Sequence, residues 1–261
     1  IGGEFNAFTG KETTGYYIKS SAANIEISLD VLSDMLSNSK LSSLEIEKEK
    51  GVILEEINLY EDTPSRKIGD IYENLIYGDT PMGWDIAGEK AIIKAIRRDD
   101  FTSYMKSLYS PHNMTVVISG GVESEKAVRL VEKYFKDMRR FDTIKYRKVV
   151  ENQKAPKLII KNKKTEQVHI ALGVRTVPLE NKDRYALDVL AAILGGGMSS
   201  RLFHEVREKR GLAYYIRTSS DSYQDCGSMV SMAGIDPKRA AQAISVMLEE
   251  YQKVKSSKLQ F

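Results

Sequence analysis

Hydrophobic residues in this 261-residue chain recur at two periods, and the periods alternate along the sequence. Residues 4–20, "EFNAFTGKETTGYYIKS", read as two strands around a polar Thr-Gly-Lys turn. Residues 23–37, "ANIEISLDVLSDMLS", switch to helical spacing. Residues 41–62 open with serine caps, continue as one long helix and stop before Pro64. Residues 65–78 form a further helix ended by Gly78, and residues 97–109 another that runs up to Pro111. "NMTVVISGG" (113–121) reads as a buried-type strand and 124–138 as a helix. Strands followed by runs of helices, then a strand and a helix, predict an α+β unit.

Residues 141–156 are charged and patternless, which predicts a linker. The plan then partly repeats. "KLIIKN" (157–162) and "QVHIALGVRT" (167–176) read as strands, and 183–194 as a helix. A glycine turn and helix follow at 195–211, strands at 212–222 and 227–235, and a helix at 236–255. The expected architecture is therefore two related α/β-sandwich-like domains. Each is an antiparallel-rich sheet with helices packed on it, each is truncated, and they cover 1–140 and 157–261. A net charge of +3 lacks the concentrated basic excess of a nucleic-acid binder. No stretch of about 18 apolar residues is present to span a membrane. The single cysteine, Cys226, excludes an intrachain disulfide and reads as structural.

The long helix carries the chemistry. At roughly 100° per residue, Ile46, Ile53, Ile57 and Tyr60 share one face of it. Glu49 and Glu56, two turns apart, fall about 40° and 60° to one side of Ile53. Glu55 falls nearly opposite and reads as a solvated charge. That geometry predicts two half-buried carboxylates, which are costly unless paired, hydrogen-bonded or bound to metal. Periodicity leaves open whether Lys or Arg partners them or a metal does.

Three stretches resemble one family: "IGGEFNAFTGKETTGYY", "EIEKEKGVILEEINLYEDTP" and "GGGMSSRLFHEVREKRGLAYYI". Together they are similar to the pitrilysin/insulinase (inverzincin) zinc metallopeptidases, above all the mitochondrial-processing-peptidase and bacterial type. In that family an H-x-x-E-H helix supplies two zinc ligands and the general base. A glutamate further along supplies the third ligand. The resemblance implies Glu56 as metal ligand and Glu49 as the carboxylate that orients the site. It implies an edge strand at Asn6, Ala7 and Phe8, with Thr9 beside them, that receives a peptide as an added strand. It also implies Arg207 holding substrate carbonyls and Tyr214 donating to the oxyanion, with Arg210 and Tyr215 as competitors.

One departure is large: no H-x-x-E-H occurs, and His112, His169 and His204 are scattered. The expectation is therefore a fragment of a longer peptidase, itself without catalytic zinc and inactive, since two carboxylates make a poor zinc site. The intact enzyme is expected to hold Zn2+, to cleave extended peptides or unfolded polypeptide in an enclosed chamber, and to pair as a homodimer or with a related subunit. A non-catalytic peptide-binding or scaffold subunit is the competing expectation. The bacterial cytoplasm is the expected location, with the mitochondrial matrix as the alternative. "LGGGMSSRL" (194–202) lacks the lysine of a phosphate-binding loop. "HEVRE" (204–208) lacks the second histidine of a zincin and reads as a solvated face.

Overall fold

The computed structural model describes residues 1–256. The chain divides into two compact units, one of Ile1–Ile57 with Ile86–Tyr146, the other of Asn58–Asp85 with Arg147–Phe261. Asn58–Asp85 thus group with the residues from Arg147 onward.

In the first unit, β1 (Glu4–Thr9) and β2 (Thr14–Lys19) form an antiparallel hairpin with Phe5 opposite Ile18 and Phe8 opposite Gly15. The turn closes through Gly10 N–H donating to the Thr13 carbonyl at 2.8 Å. A Cβ on Gly15 would lie 2.3 Å from the Phe8 ring, so a larger residue there makes that ring shift. A 3-10 turn at Ala22–Asn24 leads into α1 (Ile25–Ser37), which packs against α6 (Ser124–Phe135) and β2. Lys133 of α6 reaches Glu26 of α1 at 3.2 Å. Helix α2 (Ser43–Glu61) starts in this unit and ends in the other. Helices α4 (Lys90–Ala95) and α5 (Arg98–Leu108) follow later in the chain. At the start of α5 the Asp100 carboxylate accepts the Arg97 N–H at 2.7 Å, satisfying a donor that helix geometry leaves free. Tyr109, just past α5, exchanges a 2.7 Å hydroxyl bond with Tyr16 of β2.

The second unit is built on a three-stranded antiparallel sheet in the order β3 (Val168–Thr176), β5 (Gly227–Ile235), β4 (Ala213–Ser222). Its central strand, "GSMVSMAGI", is buried along nearly its whole length, so it carries small or apolar side chains toward both faces. One face packs on α7 (Arg184–Gly195) and α8 (Ala240–Ser256), with Leu194, Leu202, Val206, Ala233 and Met247 at the centre of the core. The other face packs on α3 (Pro64–Tyr77) through Tyr72, Ile76, Tyr77 and Val230. Pro64 starts α3 and Gly78, at φ 65°, ends it.

Two predicted strands do not form. Residues 113–121 and 157–162 pair with nothing among the described residues, and Val117 and Leu158 are more than 80% exposed. Their continuous apolar runs suit a buried strand, but a strand exists only where a second strand meets its backbone groups. The short helix α4 has no counterpart among the sequence-derived elements.

Candidate functional site

Glu49 and Glu56 both lie on α2 and both are exposed, which corrects the expectation of half-buried carboxylates. The apolar face is where periodicity places it: Ile57 is buried, with Ile46, Ile53 and Tyr60 partly covered. The adjoining side is bare. Val52 and Leu59, which share it with Glu56, are each 58% exposed, so no element among the described residues packs there. Neither carboxylate accepts a hydrogen bond or joins an ion pair among the described residues. The burial cost that made them conspicuous in the sequence is absent. Both remain free to take a ligand.

Residues Asn6, Ala7 and Phe8 all lie in β1, which pairs with β2 on one edge and with no strand on the other among the described residues. All three are exposed, and the Asn6 side chain accepts its neighbour's N–H (Ala7) at 2.8 Å.

The other candidates lie in the second unit. After Gly195 the chain enters a π-helical turn, Phe203–Glu208, in which Lys209 N–H reaches back to the His204 carbonyl at 2.9 Å. Such widened turns cost hydrogen-bond geometry and occur often at functional sites. Gly211, at φ 55°, then reverses the chain into β4, and its N–H donates to the Arg207 carbonyl at 2.9 Å. A bulge between Ala213 and Tyr215 takes Tyr214 out of the ladder and leaves it 63% exposed. Arg207 and Tyr214 therefore flank one tight turn.

Partners separate these two residues from their competitors. Arg210 donates to the Glu205 carbonyl at 2.8 Å and to its carboxylate at 2.6 Å. Lys209 meets the same carboxylate at 2.6 Å, and together these cations hold it down to about 2. Tyr215 shares a 2.9 Å hydrogen bond with His169 Nδ1, its ring lying over Gly234, where a Cβ would clash at 2.5 Å. Burial pushes the Tyr215 hydroxyl up and the His169 imidazole down from their ordinary values. The Arg207 guanidinium carbon lies 4.8 Å from the centroid of the Phe203 ring, and among the described residues neither Arg207 nor the Tyr214 hydroxyl has a hydrogen-bond or ion-pair partner.

Sequence reasoning missed three features. Gly195 and Gly196 are packing glycines. A Cβ on Gly195 would lie 2.5 Å from Thr218 N, and one on Gly196 2.7 Å from Ala192 Cα. Arg201, just past this loop, pairs with Glu250 of α8 at 2.8 Å, and Glu250 is only 2% exposed. The bulge at Tyr214 is the third. Only the polar Glu250 inside an apolar helical stripe was a legible signal for any of them.

The residues present do not complete a zinc site. Among the described residues no group of three or more His, Cys, Asp or Glu side chains converges. His169 is committed to Tyr215, and His204 lies 3.6 Å from Glu205.

Residues 95–260 match the family model described as the peptidase M16 inactive domain, and residues 1–89 match that of insulinase (peptidase family M16). The chain is 35% identical, over 95% of its length, to an uncharacterized zinc protease of Mycobacterium leprae and covers 57% of that protein. It is 34% identical to the uncharacterized zinc protease YmxG of Bacillus subtilis, covering 60% of it. Among solved structures, a protease from Helicobacter pylori superposes with a TM-score of 0.89 at 26% identity, over 99% of this chain and 64% of that one. The peptidase M16 inactive domain from Pseudomonas fluorescens reaches 0.88 at 17% identity over the same shares of the two chains, which is a likeness of fold. The chain thus spans under two thirds of the relatives it matches. The sequence matches and the fold agree with the three ordered stretches, and the chain belongs to the M16 (insulinase) peptidase family.

Proposed function

We propose that this chain forms part of a zinc metalloendopeptidase of the processing type, cytoplasmic in its bacterial setting, that cleaves extended peptides in an enclosed chamber formed by paired subunits. In this reading Glu56 is one metal ligand and Glu49 orients it. The open edge of β1 takes substrate as an added strand at Asn6–Ala7–Phe8. Arg207 fixes a substrate carbonyl, and Tyr214 donates to the oxygen on which charge develops. A zinc ion held with Glu56 as one ligand would supply Lewis acidity toward the scissile carbonyl and toward water. This chain's described residues do not enclose an ion by themselves, so their part is to orient substrate and supply one ligand.

The observation that carries the reading is the division of labour around Gly211. Arg210 and Tyr215 are consumed by Glu205 and His169, whereas Arg207 and Tyr214 are exposed and unencumbered. Kinetics of the whole polypeptide that carries this chain test it, with a quenched fluorescent peptide as substrate. Tyr214→Phe is expected to lower kcat about 10²–10³-fold, the usual cost of an oxyanion donor. Tyr215→Phe is expected to leave kcat within a few-fold while lowering thermal stability. The reverse ranking overturns the assignment.

A second reading is a non-catalytic, peptide-binding subunit, favoured by the inactive-domain description of the model matching 95–260. It predicts peptide binding with no turnover in the same assay.

A further inference from the structure

The reversal between Arg207 and Tyr214 is held by a side chain from another element of the second unit. The π-helical turn ends at Glu208, and Gly211 then turns the chain at φ 55°. Two main-chain bonds of 2.9 Å close the reversal, from Gly211 N–H to the Arg207 carbonyl and from Leu212 N–H to the Val206 carbonyl. The carbonyls of Arg210 and Gly211 receive no main-chain donor among the described residues. Arg239 meets both. Its Nη2 donates to the Arg210 carbonyl at 2.7 Å and its Nη1 to the Gly211 carbonyl at 3.2 Å. Carbonyls at a helix end have no partner within the helix, and a cation is favoured beside them. Among the described residues Arg239 joins no ion pair, so these two carbonyls are what its guanidinium holds.

The position of Arg239 is itself fixed. In the β4–β5 register Ile235 lies opposite Ala213, the residue before the bulge that takes Tyr214 out of the ladder. Next comes a 3-10 turn, Pro237–Arg239, in which proline sets the first φ. Asp236 caps it: its carboxylate accepts the Lys238 N–H and its carbonyl the Arg239 N–H, each at 2.9 Å. The end of β5 thus returns a planar fork of donors to the segment that separates Arg207 from Tyr214. Glu205 restrains the same segment from the other side, through the side chains of Lys209 and Arg210.

We propose that Arg239 is a positioning residue for the peptidase reaction: by bridging the Arg210 and Gly211 carbonyls it sets the placement of Tyr214 relative to Arg207. The inference rests on the reading that Tyr214 donates to the oxyanion. Two bonds from one rigid plane fix the direction of the reversal as well as its distance, whereas a single bond leaves it free to hinge. Lysine at this position keeps the charge without the planar fork. Displacing a catalytic donor by about 1 Å costs on the order of 10²-fold in rate, so a residue that never touches substrate can govern turnover.

The test is a double-mutant cycle in the whole polypeptide that carries this chain, with a quenched fluorescent peptide as substrate, beside hydrogen exchange of the same proteins. Arg239→Ala is expected to lower kcat about 10–100-fold, and Arg239→Lys by a smaller factor. In the Tyr214→Phe background, where the donor is already gone, Arg239→Ala should lower kcat by less than about threefold, because residues that act through one another are not additive. The Gly211 and Leu212 amides should exchange faster in Arg239→Ala, while those of β3 keep the parent's protection. A loss as large in the Tyr214→Phe background as in the parent makes Arg239 a purely structural residue and overturns the proposal. Parental kcat, or parental exchange at Gly211 and Leu212, in the single Arg239→Ala variant also overturns it. If Arg239→Ala does not fold, the same cycle run with Arg239→Lys decides by the same criteria. Parental kcat in Tyr214→Phe alone is a separate failure: it overturns the oxyanion reading, and this proposal with it.

Discussion

Replacing Arg201 by methionine removes the cation from a carboxylate that cannot reach water. Glu250 is 2% exposed, with Arg201 at 2.8 Å on one oxygen and Lys253 at 2.6 Å on the other. Breaking a buried pair from the side that leaves the buried charge behind costs about 3–5 kcal/mol. Lys253 stays in place, so Arg201→Met is expected to cost about 2–3 kcal/mol, below that range. The converse change is gentler. With Glu250→Gln, Arg201 is already 38% exposed and Lys253 53% exposed, so both can hydrate. Its cost is about 1 kcal/mol, that of a weakened hydrogen bond. For a unit of this size each kcal/mol lowers the melting temperature by about 2–4 °C. Differential scanning calorimetry should therefore place Arg201→Met about 4–12 °C below the parent and Glu250→Gln about 2–4 °C below it. Methionine keeps the apolar stem, so the difference reports charge rather than lost packing. A Glu250→Gln loss equal to or larger than that of Arg201→Met refutes the argument that the buried carboxylate dominates the pair.

Glu205, held down to about 2 by Lys209 and Arg210, stabilises the fold fully above its unfolded value near 4.5. That contribution fades as pH falls from 4.5 toward 2, so Glu205→Gln should flatten this part of the acid denaturation curve; an unchanged curve contradicts it. His169 should titrate by NMR below 6.5, because burial disfavours its cation; protonation then favours the unfolded chain, and stability falls as pH drops through 6.5. A midpoint at or above 6.5 refutes that. Arg207→Ala is expected to change the unfolding free energy by less than about 1 kcal/mol, as for an exposed cation stacked on one ring, here that of Phe203. Arg210→Ala should cost more than that in the same urea titration, since it strips two hydrogen bonds. Gly195→Ala should prevent the second unit from folding, because its Cβ would meet the Thr218 backbone at 2.5 Å. Native far-UV and near-UV dichroism in that variant would contradict the packing argument.

Most of the fold was legible because period and punctuation agreed. The apolar spacing of α1, α2, α3, α5 and α7, and the strand patterns of β4 and β5, marked elements within a residue or two of their observed ends. Two strands were misread for a single reason. "TVVIS" and "LIIK" have the continuous apolar run of a buried strand, but strand formation is decided by a partner that the local pattern cannot see. The same blindness affected Glu49 and Glu56. A helical wheel gives the angle of a side chain from the apolar face but not whether a neighbouring element covers that angle, and none among the described residues does. The resemblance favours Arg207 and Tyr214 over Arg210 and Tyr215 by spacing, but which of the four side chains find partners was not legible in the sequence. That depends on a π-helical turn and a bulge. The motif itself needed no structure, since the spacing from Glu49 to Glu56 and the segment around Gly211 were sufficient to point to the family that the comparisons show.

The central assignment is Glu56 as a metal ligand, and the zinc content of the whole polypeptide tests it most directly. Purified without added metal, the parent is expected to carry close to one zinc per chain by inductively coupled plasma mass spectrometry. Glu56→Gln should carry almost none, and Glu49→Gln should bind zinc about 10–100-fold more weakly, while Glu55→Gln should match the parent. Full zinc occupancy in the folded Glu56→Gln protein would contradict the account.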